Sequence, residues 1–145
     1  MNEQELDERS AKWLAEFRVK HKMEIWKLAA NPLDPRHMPQ CFGVGQHAAI
    51  LAKGWLLYHE GTACYRETPN SMPTRHAWNT LCGVIVDLSQ YCNSADGSFV
   101  DACEVYEKYQ VEQTYAVEEV RERMAPSGVW DFFVRPQYDF SSMEE

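Results

Sequence analysis

Residues 37–51 read HMPQCFGVGQHAAIL. A proline-marked loop turns here into an apolar helix, and Cys41 stands at the turning point. A buried structural cysteine could sit almost anywhere in a core. A cysteine meant to react benefits from a helix N-terminus, where the partial positive charge of the free N–H groups favours the thiolate. The helix is predicted over 41–53, with Ala48, Ala49, Leu51 and Ala52 as strong formers and Gly54 as its stop.

Upstream, residues 4–30 are expected to form one long helix. Leu14, Phe17, His21, Ile25 and Leu28 recur at steps of three and four, while Val19, Met23 and Trp26 make a second stripe nearly opposite. The second stripe is read as core. NPLDPRHMP (31–39), with three prolines in nine residues, ends that helix. Downstream, WLLYHEGTACY (55–65) reads as an aromatic-rich strand and RETPNSMPT (66–74) as a loop. RHAWNTLCGVIVDLS (75–89) reads as two short strands around a tight connection at Cys82–Gly83. The β-branched run Val84, Ile85, Val86 predicts a central strand covered on both faces. QYCNSADGS (90–98) is expected to be a loop, and 99–111 is open between strand and helix. AVEEVRERMAPSG (116–128) predicts a helix stopped by Gly128, VWDFFV (129–134) a last strand, and SSMEE (141–145) a frayed tail.

Composition narrows the function. A chain of 145 residues with 45% hydrophobic and 12% aromatic residues reads as a single globular domain, 1–145, with its helix at 1–30 and its motifs at 40–91. A net charge of −8 argues against a nucleic-acid partner and against anionic membranes. No run of 18 apolar residues exists, and the acidic start MNEQELDERSAKW is not read as a secretory leader. Five cysteines, none in CxxC spacing, argue against a disulfide framework and make a reducing cytoplasm the expected setting. His47, His59 and His76 lie among the cysteines without the short paired spacings of a zinc site, so no metal and no cofactor is expected.

Three residues stand in an informative order: Cys41 at a helix start, His76 at a strand start, Asp87 at the end of the next strand. If 76–79 and 84–87 pair as antiparallel neighbours, His76 and Asp87 meet at one end of the hairpin. The helix N-terminus need only pack against that end to complete a thiol, an imidazole and a carboxylate in a row. The imidazole then takes the thiol proton, the carboxylate orients the ring, and helix N–H groups can receive an oxyanion. Taken singly, each residue has a plainer reading. Cys41 could be a small buried apolar residue, His76 a satisfied core histidine, and Asp87 a turn cap in DLSQY. Their order is what argues for chemistry.

PQCFGVGQHAAILAKGW, LLYHEGTACY, RHAWN and GVIVDLS together resemble the transglutaminase-like core of the papain-like cysteine-protein superfamily, in its short phage and bacterial form. The resemblance covers residues 40–91. It implies an α+β fold, with an antiparallel sheet packed against the helix that carries the nucleophile. Carried over by motif, Cys41 matches the nucleophile, His76 the base and Asp87 the orienting acid. Gln40 matches the glutamine before the nucleophile, Trp78 the aromatic two places after the histidine, and Gly61 the glycine of the intervening strand. Gln40 and Trp78 are thereby expected to position substrate and oxyanion. Leu88 stands where the family usually has proline, Gly45 where similar short proteins often have a polar residue, and no calcium-site pattern is present.

The resemblance implies cysteine-dependent acyl transfer or hydrolysis on a peptide or carboxamide. The alternative is a non-catalytic phage- or mobile-element-type protein that binds and inhibits a host protein, using the acidic surface and the Val19–Met23–Trp26 stripe. His59 is a spare candidate base and Glu60 an ordinary strand residue. Cys64 and Cys82 are expected in the core. The acidic clusters YEKYQVEQ (106–113) and VEEVRER (117–123) are read as solvated faces.

Overall fold

A computed structural model describes residues 3–29, 41–68, 72–92, 99–127 and 133. A short turn of helix at Glu3–Glu5 precedes α1 (Glu8–Ala29) and α2 (Cys41–Leu51). There follow β1 (Leu57–Tyr65), β2 (Thr74–Leu81), β3 (Val84–Val86), β4 (Gln90–Cys92), β5 (Phe99–Asp101), α3 (Ala102–Val105), β6 (Tyr106–Tyr115) and α4 (Val117–Ser127). The class is α+β. A four-stranded antiparallel sheet runs in the order β3-β2-β1-β6, and β4 and β5 pair separately.

The long first helix begins where Asp7 accepts the Ser10 N–H at 2.7 Å, an N-cap contact. It buries Leu14, Phe17 and Ile25 against Val44 and Ala48 of α2, against Ala52 and Leu56 in the connection to β1, and against Leu81 and Val86 of the sheet. The opposite face of α2 presents Phe42 and Ala49 to Tyr58, Ala77, Tyr115 and Val120. Because α2 is covered on both sides, its sequence is apolar nearly all round. Gly45 lets it approach closely, since a Cβ there would lie 2.8 Å from the Tyr58 ring. Asn79 ties the layers together by donating to the carbonyls of Gly45 and Leu57, both at 3.0 Å. α2 ends at Leu51, short of the expected 41–53, and the chain turns away through positive φ at Lys53 (52°) and at the expected glycine, Gly54 (102°).

Several expectations are corrected. The Val84–Val86 run is an edge strand, not a central one. It is three residues long, Val84 and Val86 are buried while Ile85 is only partly so, and the Glu3–Glu5 turn packs beside it. Cys82 is exposed rather than core. It takes φ 51° next to Gly83 at 79°, the signature of a two-residue type I′ hairpin turn. In the second stripe of α1, Val19 is 89% and Met23 67% exposed, so these two do not belong to the core. Gln90–Cys92 pairs with Phe99–Asp101 instead of looping. Cys64 is buried, and the charged residues of α4 and the second half of β6 are exposed, as expected. The expectations for 31–39, Gly128, 129–134 and 141–145 lie outside the described residues, apart from Phe133, which sits in a bend.

Candidate active site

β2 brings His76 and Trp78 to one sheet face, because alternate residues share a face. Opposite them on β1 stand Gly61 and His59. The β2–β3 pairing stops at Asn79–Val86, so among the described residues the rest of β2 has no partner on that side. Just past β3 the chain places Asp87 beside His76 in this unpaired stretch. Asp87, fully buried at its side chain, accepts from His76 Nε2 at 2.6 Å. The same oxygen accepts the Tyr109 hydroxyl at 2.8 Å, and the other accepts the Ser89 N–H at 3.2 Å. Three donors therefore fix the carboxylate, and the carboxylate fixes the ring.

With Nε2 on Asp87, Nδ1 is the nitrogen left over, and it has no hydrogen-bond partner of normal geometry. Cys41 is the first residue of α2, is half-buried, and packs on the cluster that contains Ala77, the neighbour of His76. Its thiol stands near enough to favour the imidazolium by hydrogen bonding and by charge, although the contact falls short of a fully formed bond. Burial works against a charged His76. The bond to Asp87, the influence of Cys41 and the charges of both outweigh it, and the imidazole is raised to about 9. The ring is caged by Tyr106, Trp78 and Tyr109, at centroid distances of 4.4, 5.9 and 5.8 Å.

The raised value has a consequence for stability. A folded value of about 9 against an ordinary 6.5 means that His76 stabilises the fold fully below pH 6.5 and loses that contribution as pH rises through 9. The loss is about 3 kcal/mol at most. Thermal unfolding from pH 6 to 9.5 is expected to show a falling midpoint in the wild type and a flatter profile in His76→Gln; parallel profiles would contradict it.

Tyr106 and Tyr109 are three apart, yet both reach His76. A regular strand would send them to opposite faces. The β1–β6 register slips between Thr62 and Cys64, and Lys108 takes φ 55°, so a bulge in β6 restores Tyr109 to the His76 face. A second slip lies between Glu60 and Gly61.

His59 is not a spare base. Its nitrogens contact the hydroxyls of Thr114 (2.9 Å) and Thr80 (2.6 Å), and burial lowers it to about 4. Trp78 is buried between His59 and His76. It therefore packs the site instead of touching solvent-borne substrate. Gln40 lies outside the described residues. Glu60 is no ordinary strand residue: it is fully buried, accepts from the Tyr58 hydroxyl and the Phe133 N–H, both at 2.7 Å, and faces Arg75 at 3.6 Å. A cavity of about 550 Å³ lies between α1 and the β3–β4 connection, lined by residues including Phe17, Met23, Trp26, Leu88 and Cys103. It borders Asp87 but neither Cys41 nor His76.

Among the described residues no group of three or more His, Cys, Asp or Glu side chains could hold a metal ion. No described helix is long and apolar enough to cross a membrane. Compared with protein-family profiles, curated proteins and solved structures, the chain matches none.

Proposed function

We propose that the chain is a cysteine-dependent acyl-transfer or hydrolytic enzyme of the transglutaminase-like, papain-like kind, acting on a peptide or carboxamide. The observation that carries this reading is a fully buried imidazole held on Asp87 through Nε2, with Nδ1 unpaired and the Cys41 thiol close enough to raise its proton affinity. In the resting site the Cys41 proton sits on His76 Nδ1, and Sγ, as the thiolate, bonds to the carbonyl carbon, whose oxygen takes up the negative charge. The tetrahedral oxyanion collapses, the C–N bond breaks, and the leaving amine takes the proton from His76. Water or an acceptor amine then attacks the thioester, giving up its proton to His76, and the thiolate is regenerated. Asp87 orients the ring and stabilises its charged form. N–H groups at the start of α2 are suited to receive the oxyanion.

Iodoacetamide labelling of the native protein, followed by peptide mass spectrometry, tests this. Cys41 is expected to label first, although Cys82 and Cys103 are more exposed. His76→Ala removes the lead, and above about pH 9, where His76 gives up its proton, the lead shrinks in the wild type. A Cys41 that labels no faster than Cys82 and Cys103 overturns the proposal.

The exposed Val19 and Met23 favour a second reading, a protein that binds and inhibits a host protein through α1. Cys41→Ala would leave such an activity intact and abolish the first.

A further inference from the structure

The one described residue beyond α4 is held in a particular way. The Phe133 ring sits edge-on to Tyr58 and Tyr115, at centroid distances of 5.5 and 5.2 Å. Its backbone N–H donates to Glu60 Oε2 at 2.7 Å, across 73 positions of sequence. Tyr58 donates to the same oxygen, and Gln46 donates to the Tyr58 hydroxyl at 3.2 Å. Anchoring a phenylalanine as plain core needs only apolar walls. A fully buried carboxylate is a costly way to do it, because burying the charge is repaid only while donors of good geometry face it. A carboxylate that accepts a backbone N–H, with the Tyr58 and Tyr115 rings against the same residue's side chain, selects for a residue that offers both a ring and a backbone N–H. Any aromatic residue of a peptide offers both.

The cradle also lies next to the candidate nucleophile. Cys41 and Phe133 pack on one cluster with Tyr58, Tyr115 and Ala77. The Tyr58 hydroxyl holds its proton far more firmly than usual, first because it is buried and then because of Glu60, with Cys41 the smallest influence.

We propose that Tyr58, Glu60 and Tyr115 form a subsite for an aromatic residue of a peptide substrate, recognised by its ring and its backbone N–H, and that Phe133 occupies this subsite in cis as a competitor. The inference rests on the acyl-transfer reading of Cys41 and names its substrate class. Substrate binding then requires Phe133 to leave, so the chain restrains its own reaction.

The test uses the full chain and a fluorescein-labelled peptide of residues 129–137, VWDFFVRPQ, followed by fluorescence anisotropy. The Phe133→Ala chain is expected to bind the peptide at least about tenfold tighter than the wild type, because its cradle is vacant. Methylating the peptide nitrogen that corresponds to Phe133, or adding Glu60→Gln to the chain, is expected to weaken binding about tenfold. Bound peptide is expected to slow Cys41 alkylation. Equal binding to both chains, indifference to N-methylation, or unchanged alkylation with peptide bound would each overturn the proposal. So would a Phe133→Ala chain without native circular dichroism, since Phe133 would then be core. Binding that persists in Cys41→Ala, Phe133→Ala while Cys41 proves unreactive would sink the enzyme reading and leave the peptide site standing.

Discussion

Asp87→Ala is expected to remove both the reactivity of Cys41 and a large part of the stability of the fold. The side chain is fully buried and receives three donors: His76 Nε2, the Tyr109 hydroxyl and the Ser89 N–H. Truncation strands all three in a buried site. Stranded buried donors cost about 1–3 kcal/mol each and are not fully additive, so a loss of about 3–5 kcal/mol follows. For a chain of this length that is a fall of roughly 10–15 °C in the unfolding midpoint. The chemical effect is separate. Without the carboxylate, burial pushes His76 towards its neutral form, since the bond to Asp87 is the largest influence opposing burial. The ring also loses its orientation, and labelling of Cys41 is expected to slow by about 100-fold or more. Asp87→Asn divides the two effects: the amide keeps the shape and one acceptor oxygen, so stability falls less while labelling falls nearly as far. His59→Gln is the control, because both His59 nitrogens are taken up by threonine hydroxyls and Trp78 stands between its ring and His76. Wild-type labelling in Asp87→Ala would remove His76 and Asp87 from the reaction.

How much of this was legible in the sequence follows from the range of each cue. Cys41 at a helix start and the 75–86 hairpin rest on local signals: a proline-rich approach, a helix-forming run, a glycine after a residue able to take positive φ. Those signals act within a few residues and placed the helix start and the hairpin turn, but the register differs from a pairing of 76–79 with 84–87: Asn79 pairs with Val86, and Asp87 reaches His76 from beyond the end of β3. Tyr109 could not be found that way. Its place on the His76 face depends on a bulge at Lys108, and lysine gives no hint of positive φ. Glu60 was missed because a glutamate in a strand is usually solvated. Only the tertiary approach of Tyr58, Arg75 and Phe133 makes its burial tolerable. The Val84–Val86 run misled for a related reason. An edge strand sheltered by a neighbouring turn of helix needs the same apolar residues as a central one. Val19 and Met23 carried helical periodicity, but periodicity does not say which of two stripes meets the core.

Gly61→Ala is expected to be the most damaging single methyl that can be added to the sheet. A Cβ at Gly61 would stand 2.0 Å from the Gln110 carbonyl oxygen, 3.0 Å from its carbon and 3.1 Å from the Glu112 nitrogen. All three are backbone atoms of β6, so no rotamer change relieves the clash and the β1–β6 pair must separate. Gly45→Ala makes a useful comparison. Its Cβ would meet the Tyr58 ring at 2.8 Å, and a ring can tilt, so an ordinary overpacking cost of about 1–3 kcal/mol applies there. Gly61→Ala is expected to exceed about 3 kcal/mol and to lower the unfolding midpoint by about 10 °C or more. The injury extends to the site through the register. Gly61 lies opposite His76 on β2 and opposite Val111 on β6, and β6 carries Tyr106 against the ring and Tyr109 onto Asp87. Moving β6 outward withdraws the Tyr109 hydroxyl from the carboxylate that orients His76. Labelling of Cys41 is therefore expected to slow in Gly61→Ala even at temperatures where the variant is folded, and to stay near the wild-type rate in Gly45→Ala. Thermal unfolding and iodoacetamide labelling of the two variants side by side check both statements. A Gly61→Ala chain with wild-type midpoint and wild-type labelling would mean that β6 is not set closely against β1 at Gly61.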